Sequence, residues 1–163
     1  MTNSIKKGHG FERAVVNILK ERFNKKFSRV PASGAIATTQ SNNLEENALK
    51  VLSGDIIVPK YFRFSIEVKS RKEFNFWNFF SENSEWMSWW QQAKREALES
   101  NRHPLLIVKY NNKKILAGIE YQLIKGTNIK FIRMWDNLSI CLLSDLLSLN
   151  DNFFFMPEQL SLF

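Results

Sequence analysis

Gly54-Asp55-Ile56-Ile57-Val58-Pro59, followed by Phe62-Arg63-Phe64-Ser65-Ile66-Glu67-Val68-Lys69, is the stretch from which the rest of the chain is read. In the second segment apolar and polar residues alternate, the period-2 pattern of a strand. Phe62, Phe64, Ile66 and Val68 fall on one face, and Arg63, Ser65, Glu67 and Lys69 on the other. Glu67 and Lys69 are then neighbours on one surface. If the two segments pair as adjacent strands, Asp55 stands beside Glu67. Two carboxylates there make a hard oxygen site of the kind Mg²⁺ takes, completed by water and phosphate. The nearby ammonium of Lys69 is placed to orient or deprotonate a water. The competing reading is a surface hairpin with solvated charges, because three-residue motifs recur by chance.

A second set of residues lies near the N-terminus. Lys7-Gly8-His9-Gly10-Phe11-Glu12-Arg13 runs into Ala14, Val15, Val16, Ile18, Leu19 and Phe23, whose spacing marks one apolar helix face. Glu12 is expected in the first turn, where the helix dipole alone favours a carboxylate.

Together these residues carry a resemblance. Gly8-x-x-x-Glu12-Arg13, Val30-Pro31-Ala32-Ser33-Gly34, Gly54-Asp55-Ile56, Ile66-Glu67-Val68-Lys69-Ser70-Arg71-Lys72 and Gln92-Ala93 follow in that order. In order and spacing they resemble the archaeal-type Holliday-junction resolvases and their phage relatives, within the PD-(D/E)xK nuclease superfamily. The similarity covers roughly residues 5 to 120 and is looser between Gly34 and Gly54. It implies an α/β, restriction endonuclease-like fold: a central mixed β-sheet flanked by helices.

By the same resemblance, Glu12, Asp55 and Glu67 gather Mg²⁺, for which Mn²⁺ is expected to substitute, with the Val68 carbonyl as a further ligand. Lys69 assists the hydrolytic water, Ser33 lies near the scissile phosphate, and Gln92 supports the site, with Gln91 one position out of register. Gly54 stands where the family usually reads Pro, a position that supplies a turn and no ligand. The longer stretch from Ala35 to Ser53 is a larger departure and leaves substrate choice open. The implied activity is hydrolysis of phosphodiesters in branched DNA, and symmetric cutting of a four-way junction needs two sites, hence a C2 homodimer. The helix from Glu85 and the strand hairpin of Pro104 to Tyr110 and Lys114 to Ile119, around an Asn111-Asn112-Lys113 turn, are the candidate interfaces. Two alternatives remain: the same core with a restriction-type, nicking or recombination target, and a non-catalytic DNA-binding protein.

Composition agrees with this reading. The 163 residues are 44% hydrophobic, enough for one core, and carry 23 Lys and Arg against 16 Asp and Glu. That net charge of +7 suits a protein that meets a polyanion. Basic residues crowd the N-terminal helix and flank the acidic motif; Lys7, His9, Arg13, Arg29, Arg71 and Lys72 are the candidate DNA contacts, whereas Lys20 and Arg22 read as a solvated helix face. Cys141 is the one cysteine, so no intramolecular disulfide forms and a reducing cytoplasm, bacterial or of a phage-infected host, is the expected setting. No apolar run is long enough to cross a bilayer, and no membrane association is expected.

Along the chain, strands are expected at Phe27 to Val30, Pro104 to Tyr110, Lys114 to Ile119 and Ile129 to Trp135, and short helices at Leu44 to Leu52 and Leu142 to Leu149. A longer helix is expected from about Glu85 to Asn101, with Trp86, Trp89, Trp90, Ala93 and Ala97 on its apolar face. The aromatic cluster from Phe74 to Phe80 reads as core or interface in preference to base stacking. Residues 1–150 are taken as the nuclease domain and 151–163 as a tail. The tail ends in Gln159-Leu160-Ser161-Leu162-Phe163, which resembles the peptide by which bacterial replication and repair proteins dock on the DNA polymerase sliding clamp. Leu162 and Phe163 would fill an apolar pocket, with Leu160 a lesser contact and the Gln159 amide fixing orientation. A plug packed on the protein's own core is the alternative.

Overall fold

The structure, a computed structural model, describes residues 2–30, 54–77, 81 and 83–157, with side chains from residue 9 onward. The expected Leu44 to Leu52 helix, Ser33, the Lys7 side chain and Gln159 to Phe163 lie outside the described residues. A five-stranded mixed sheet is built from β3 (Phe64–Arg71), β4 (His103–Tyr110), β5 (Leu116–Glu120), β6 (Phe131–Arg133) and β7 (Leu138–Leu142), in the order β3-β4-β5-β7-β6. Its β3–β4 pair is parallel and the other pairs are antiparallel. A separate two-stranded ladder joins β1 (Ser28–Arg29) to β2 (Ile56–Ile57). Helix α1 (Thr2–Phe23) and helix α2 (Glu85–Glu99) cover opposite faces of the sheet, and α2 is the crossover that parallel pairing of β3 and β4 requires. This is the α/β architecture expected, a central mixed sheet flanked by helices.

Alternation along β4 shows how one sequence serves two cores. Leu105 and Ile107 face α1, packing with Val15, Leu19, Phe23, Phe64 and Ile66. Leu106, Val108 and Tyr110 face α2 and its Trp86, Trp89, Trp90 and Ala93. Because both faces are covered, the side of β3 that reads as polar is buried as well: Ser65 is 4% exposed and Glu67 2%. Trp86, Trp89 and Trp90 belong to the monomer's own core, so they do not supply the dimer interface considered for that helix. Phe74, Phe76 and Trp77, by contrast, are exposed.

Four expectations change. Helix α1 begins at Thr2, so Glu12 sits in the third turn rather than the first, and the N-terminal dipole does not account for it. Strand β7 follows the left-handed Asp136 and Asn137 and pairs with both β5 and β6, a place the sequence reading left without an element. Residues 151–156 also join the domain. Phe154 on the short helix Asp151–Phe154 is fully buried, Phe155 bridges to Phe62, and the Met156 N–H donates to the Tyr61 carbonyl at 2.9 Å. Arg22 fastens this segment. Its guanidinium donates to the carbonyls of Leu147 (2.6 Å) and Leu149 (2.9 Å) and pairs with Asp151 at 2.9 Å, so it is a structural strut and not part of a solvated face.

Candidate active site

Strand β3 lies at one end of the sheet order, so one of its edges has no partner strand in the sheet. Asp55 occupies that edge. Its backbone N–H donates to the Ile66 carbonyl at 2.9 Å, and its Oδ2 accepts the Val68 N–H at 2.9 Å. The expected pairing of adjacent strands is thus replaced by one residue doing both jobs, while Ile56 and Ile57 pair with β1. Since the N–H and C=O of a strand residue project to the same side, the Val68 carbonyl faces the Asp55 edge too.

Gly54 makes this approach possible. Its φ is +82°, and a Cβ there would stand 2.7 Å from the Ile66 carbonyl oxygen. Proline, with φ fixed near −65°, is incompatible with that turn, so the departure from Pro-Asp has its own local geometry. Gly54→Ala is expected to lower stability by about 1–3 kcal/mol, read from the urea midpoint, because both φ and the close contact oppose it.

Glu67 and Lys69 share the α2 face, and Lys69 Nζ donates to Glu67 Oε1. Gln92, on α2, joins them: its Oε1 accepts from Lys69 Nζ at 3.0 Å, and its Nε2 donates to Glu67 Oε1 and to Glu96 Oε1, both at 2.9 Å. Gln91 turns away to Asp136. Four residues singled out from sequence, Asp55, Glu67, Lys69 and Gln92, therefore gather at one sheet edge.

Glu12 approaches from the α1 side. It is 7% exposed and accepts from Arg29 Nε at 2.5 Å. Arg29, expected as a DNA contact, is thus engaged with a carboxylate. Arg71 is likewise engaged, with Glu85 at 2.6 Å and over the Trp89 ring. Arg13 and Lys72 are exposed, and His9 is half-buried in α1.

Electrostatics show why these groups form one unit. Burial raises the Asp55 carboxyl above its ordinary 3.8; the Val68 N–H opposes this, and the charge of Glu12 adds to it. Glu67 is pushed from 4.5 up to about 9, first by burial, then by the charges of Asp55 and Glu96, with Lys69 opposing. Native Glu67 therefore holds a proton over a pH range in which the unfolded chain has lost it, so stability falls as pH rises between about 4.5 and 9. In EDTA, the melting temperature is expected to drop across that interval, and Glu67→Gln should flatten the drop.

Glu96 was not singled out from sequence. The signal was the i, i+4 spacing of Gln92 and Glu96, which puts both on one helix face.

The oxygens on hand suit a hard divalent cation. Asp55 and Glu67 are buried together with too little positive charge, and Glu96 Oε2 is buried without a hydrogen-bond donor. Among the described residues, however, no three carboxylate, imidazole or thiol groups stand close enough to ligate one ion. Glu12 is held by Arg29, and Glu67 by Lys69 and Gln92.

A sheet edge carrying Asp, then Glu-x-Lys on the edge strand, with a Gln from the crossover helix, is the arrangement that the resemblance to the PD-(D/E)xK nucleases implies. The chain belongs to the family described as "Phage putative PDDEXK endonuclease", whose model matches residues 3–139. It is 33% identical over 124 residues to Protein D14 of Escherichia phage T5, a match covering 72% of this chain and 71% of that protein. It also aligns with Hjc of Archaeoglobus fulgidus, a Holliday junction resolvase, over 83% of this chain and 86% of that one, at 18% identity and a TM-score of 0.42. Among the described residues no helix is long and apolar enough to cross a membrane.

Proposed function

We propose that the protein is a Mg²⁺-dependent endonuclease that hydrolyses phosphodiesters in branched DNA, four-way junctions foremost, as a C2 homodimer. The observation that carries the reading is the convergence of Asp55, Glu67, Lys69 and Gln92 at the open edge of β3. Asp55 and Glu67, with the Val68 carbonyl, are the residues that would hold the cation, and Glu12 from α1 would join them only on leaving Arg29. When bound, the cation polarises the phosphate and lowers the pKa of a coordinated water. Lys69 positions the attacking water and meets the charge that develops on the phosphate. Gln92 keeps the Lys69 ammonium from swinging away. Glu12, held by Arg29, adds negative charge beside Asp55.

Preference for branched DNA rests on the ordered motif set of the sequence, and the charge of +7 supports a polyanionic substrate. Ser33 near the scissile phosphate, and Arg13, Lys7, His9 and Lys72 along the DNA backbone, belong to the same proposal. Incubation with labelled four-way junction and with linear duplex, with and without Mg²⁺, resolves the matter on a denaturing gel. Paired nicks in the junction alone are expected; equal cutting of duplex would favour the same core with another target.

The C-terminal Gln159-Leu160-Ser161-Leu162-Phe163 is proposed to dock on the sliding clamp of the bacterial host, which would raise the nuclease's local concentration on DNA. Deleting residues 159–163 should abolish clamp binding in a pull-down and leave the melting temperature unchanged. A fall in melting temperature would identify the segment as a plug on its own core.

A further inference from the structure

The Gln92 amide stands between a cation and two carboxylates, and its orientation follows from their chemistry. Lys69 has only donors to offer, so Oε1 must face it; Glu67 and Glu96 offer acceptors, so Nε2 must face them. Of the two carboxylates, Glu67 belongs to the reacting centre, whereas Glu96 is on α2 itself, one turn beyond Gln92. That spacing ties Gln92 to its own helix and leaves the amide little freedom to rotate away from Lys69. Glu96 also places a negative charge close enough to act on both Asp55 and Glu67, and its Oε2 has no hydrogen-bond donor although it is buried. A charge so placed, with an oxygen to spare, is of little use to folding alone, because an unsatisfied buried carboxylate oxygen is costly.

We propose that Glu96 is a positioning residue of the nuclease site, orienting Gln92 toward Lys69 and Glu67 through Oε1 and strengthening cation uptake by its charge. The inference rests on the nuclease reading given above. It separates two contributions that different substitutions remove. Glu96→Gln keeps an oxygen for the Gln92 amide and loses the charge; Glu96→Ala loses both.

Calorimetric titration of the metal-free protein with Ca²⁺ or Mn²⁺, in the absence of DNA, should show both variants binding about 10–100-fold more weakly than wild type. Cleavage at saturating Mg²⁺ should then separate them: Glu96→Gln regains a near-wild-type kcat, and Glu96→Ala stays at least tenfold slower with the KM for DNA unchanged. Circular dichroism and melting temperature check that each variant is folded, and the isosteric Gln variant keeps the test sound should the Ala variant not fold. Cation affinity equal to wild type in Glu96→Gln overturns the assignment. So does a kcat for folded Glu96→Ala equal to wild type. If wild type cuts no DNA, the nuclease reading fails by itself, and the cation titration still decides whether Glu96 serves the site.

Discussion

Asp55→Asn is expected to reduce Mg²⁺-dependent cleavage by about 10³-fold or more while leaving the fold intact, because it removes one anionic oxygen from the centre where charge must be balanced. The substitution isolates chemistry from structure unusually well. Asparagine retains a carbonyl oxygen for the Val68 N–H, and the Asp55 backbone N–H still reaches the Ile66 carbonyl. Burial disfavours the charged form of Asp55, so replacing it with a neutral amide should leave the melting temperature equal or higher in the absence of metal. Single-turnover cleavage of labelled junction DNA and a thermal melt, run on the same preparation, give both readouts. Unchanged Mg²⁺-dependent cutting by the variant would remove Asp55 from the cation site.

The largest effect on stability is expected at Phe62. Only 1% of it is exposed, and its ring meets those of Phe23, Phe27, Phe64, Phe154 and Phe155 at centroid distances between 5.2 and 6.3 Å. These rings come from α1, the segment before β1, β3 and the C-terminal segment, so this one side chain links parts of the chain that are remote in sequence. Truncation to alanine should cost about 3–5 kcal/mol, from lost burial and from the cavity left among rings that cannot all close upon it. Urea unfolding should show the midpoint falling with its slope unchanged. A loss below about 1 kcal/mol would mean that the cluster relaxes to fill the space.

Why the two halves of the site differ in legibility follows from the range of the forces that build them. Glu67 and Lys69 are two residues apart on a strand, and the period of the pleat alone places them on one surface. Gln92 was found through the ordered motifs of the resemblance, and the helix that carries it announces itself through Trp86, Trp89, Trp90, Ala93 and Ala97, all of which are buried as the 3.6-residue period demands. The hairpin of β4 and β5 was legible through its Asn111-Asn112-Lys113 turn, where Asn112 takes a left-handed φ of 57°. By contrast, a strand covered on both faces carries no marker of that fact, so the burial of Ser65 and Glu67 was not readable from alternation. Leu138 to Leu142 alternates weakly, and its two-sided pairing depends on strands supplied from elsewhere.

The sequence by itself determined the α/β class, the Glu67-x-Lys69 pair, the Gln92 helix and the identity of Asp55 as its acidic companion, since each is written in local period or in an ordered set of motifs. Only the tertiary structure decided that Asp55 meets β3 through a left-handed Gly54, that Arg29 holds Glu12 and Arg22 the C-terminal segment, and that Glu96 stands behind Gln92. Contacts of this second kind depend on the path of the chain between distant residues, and no period in the sequence records that path.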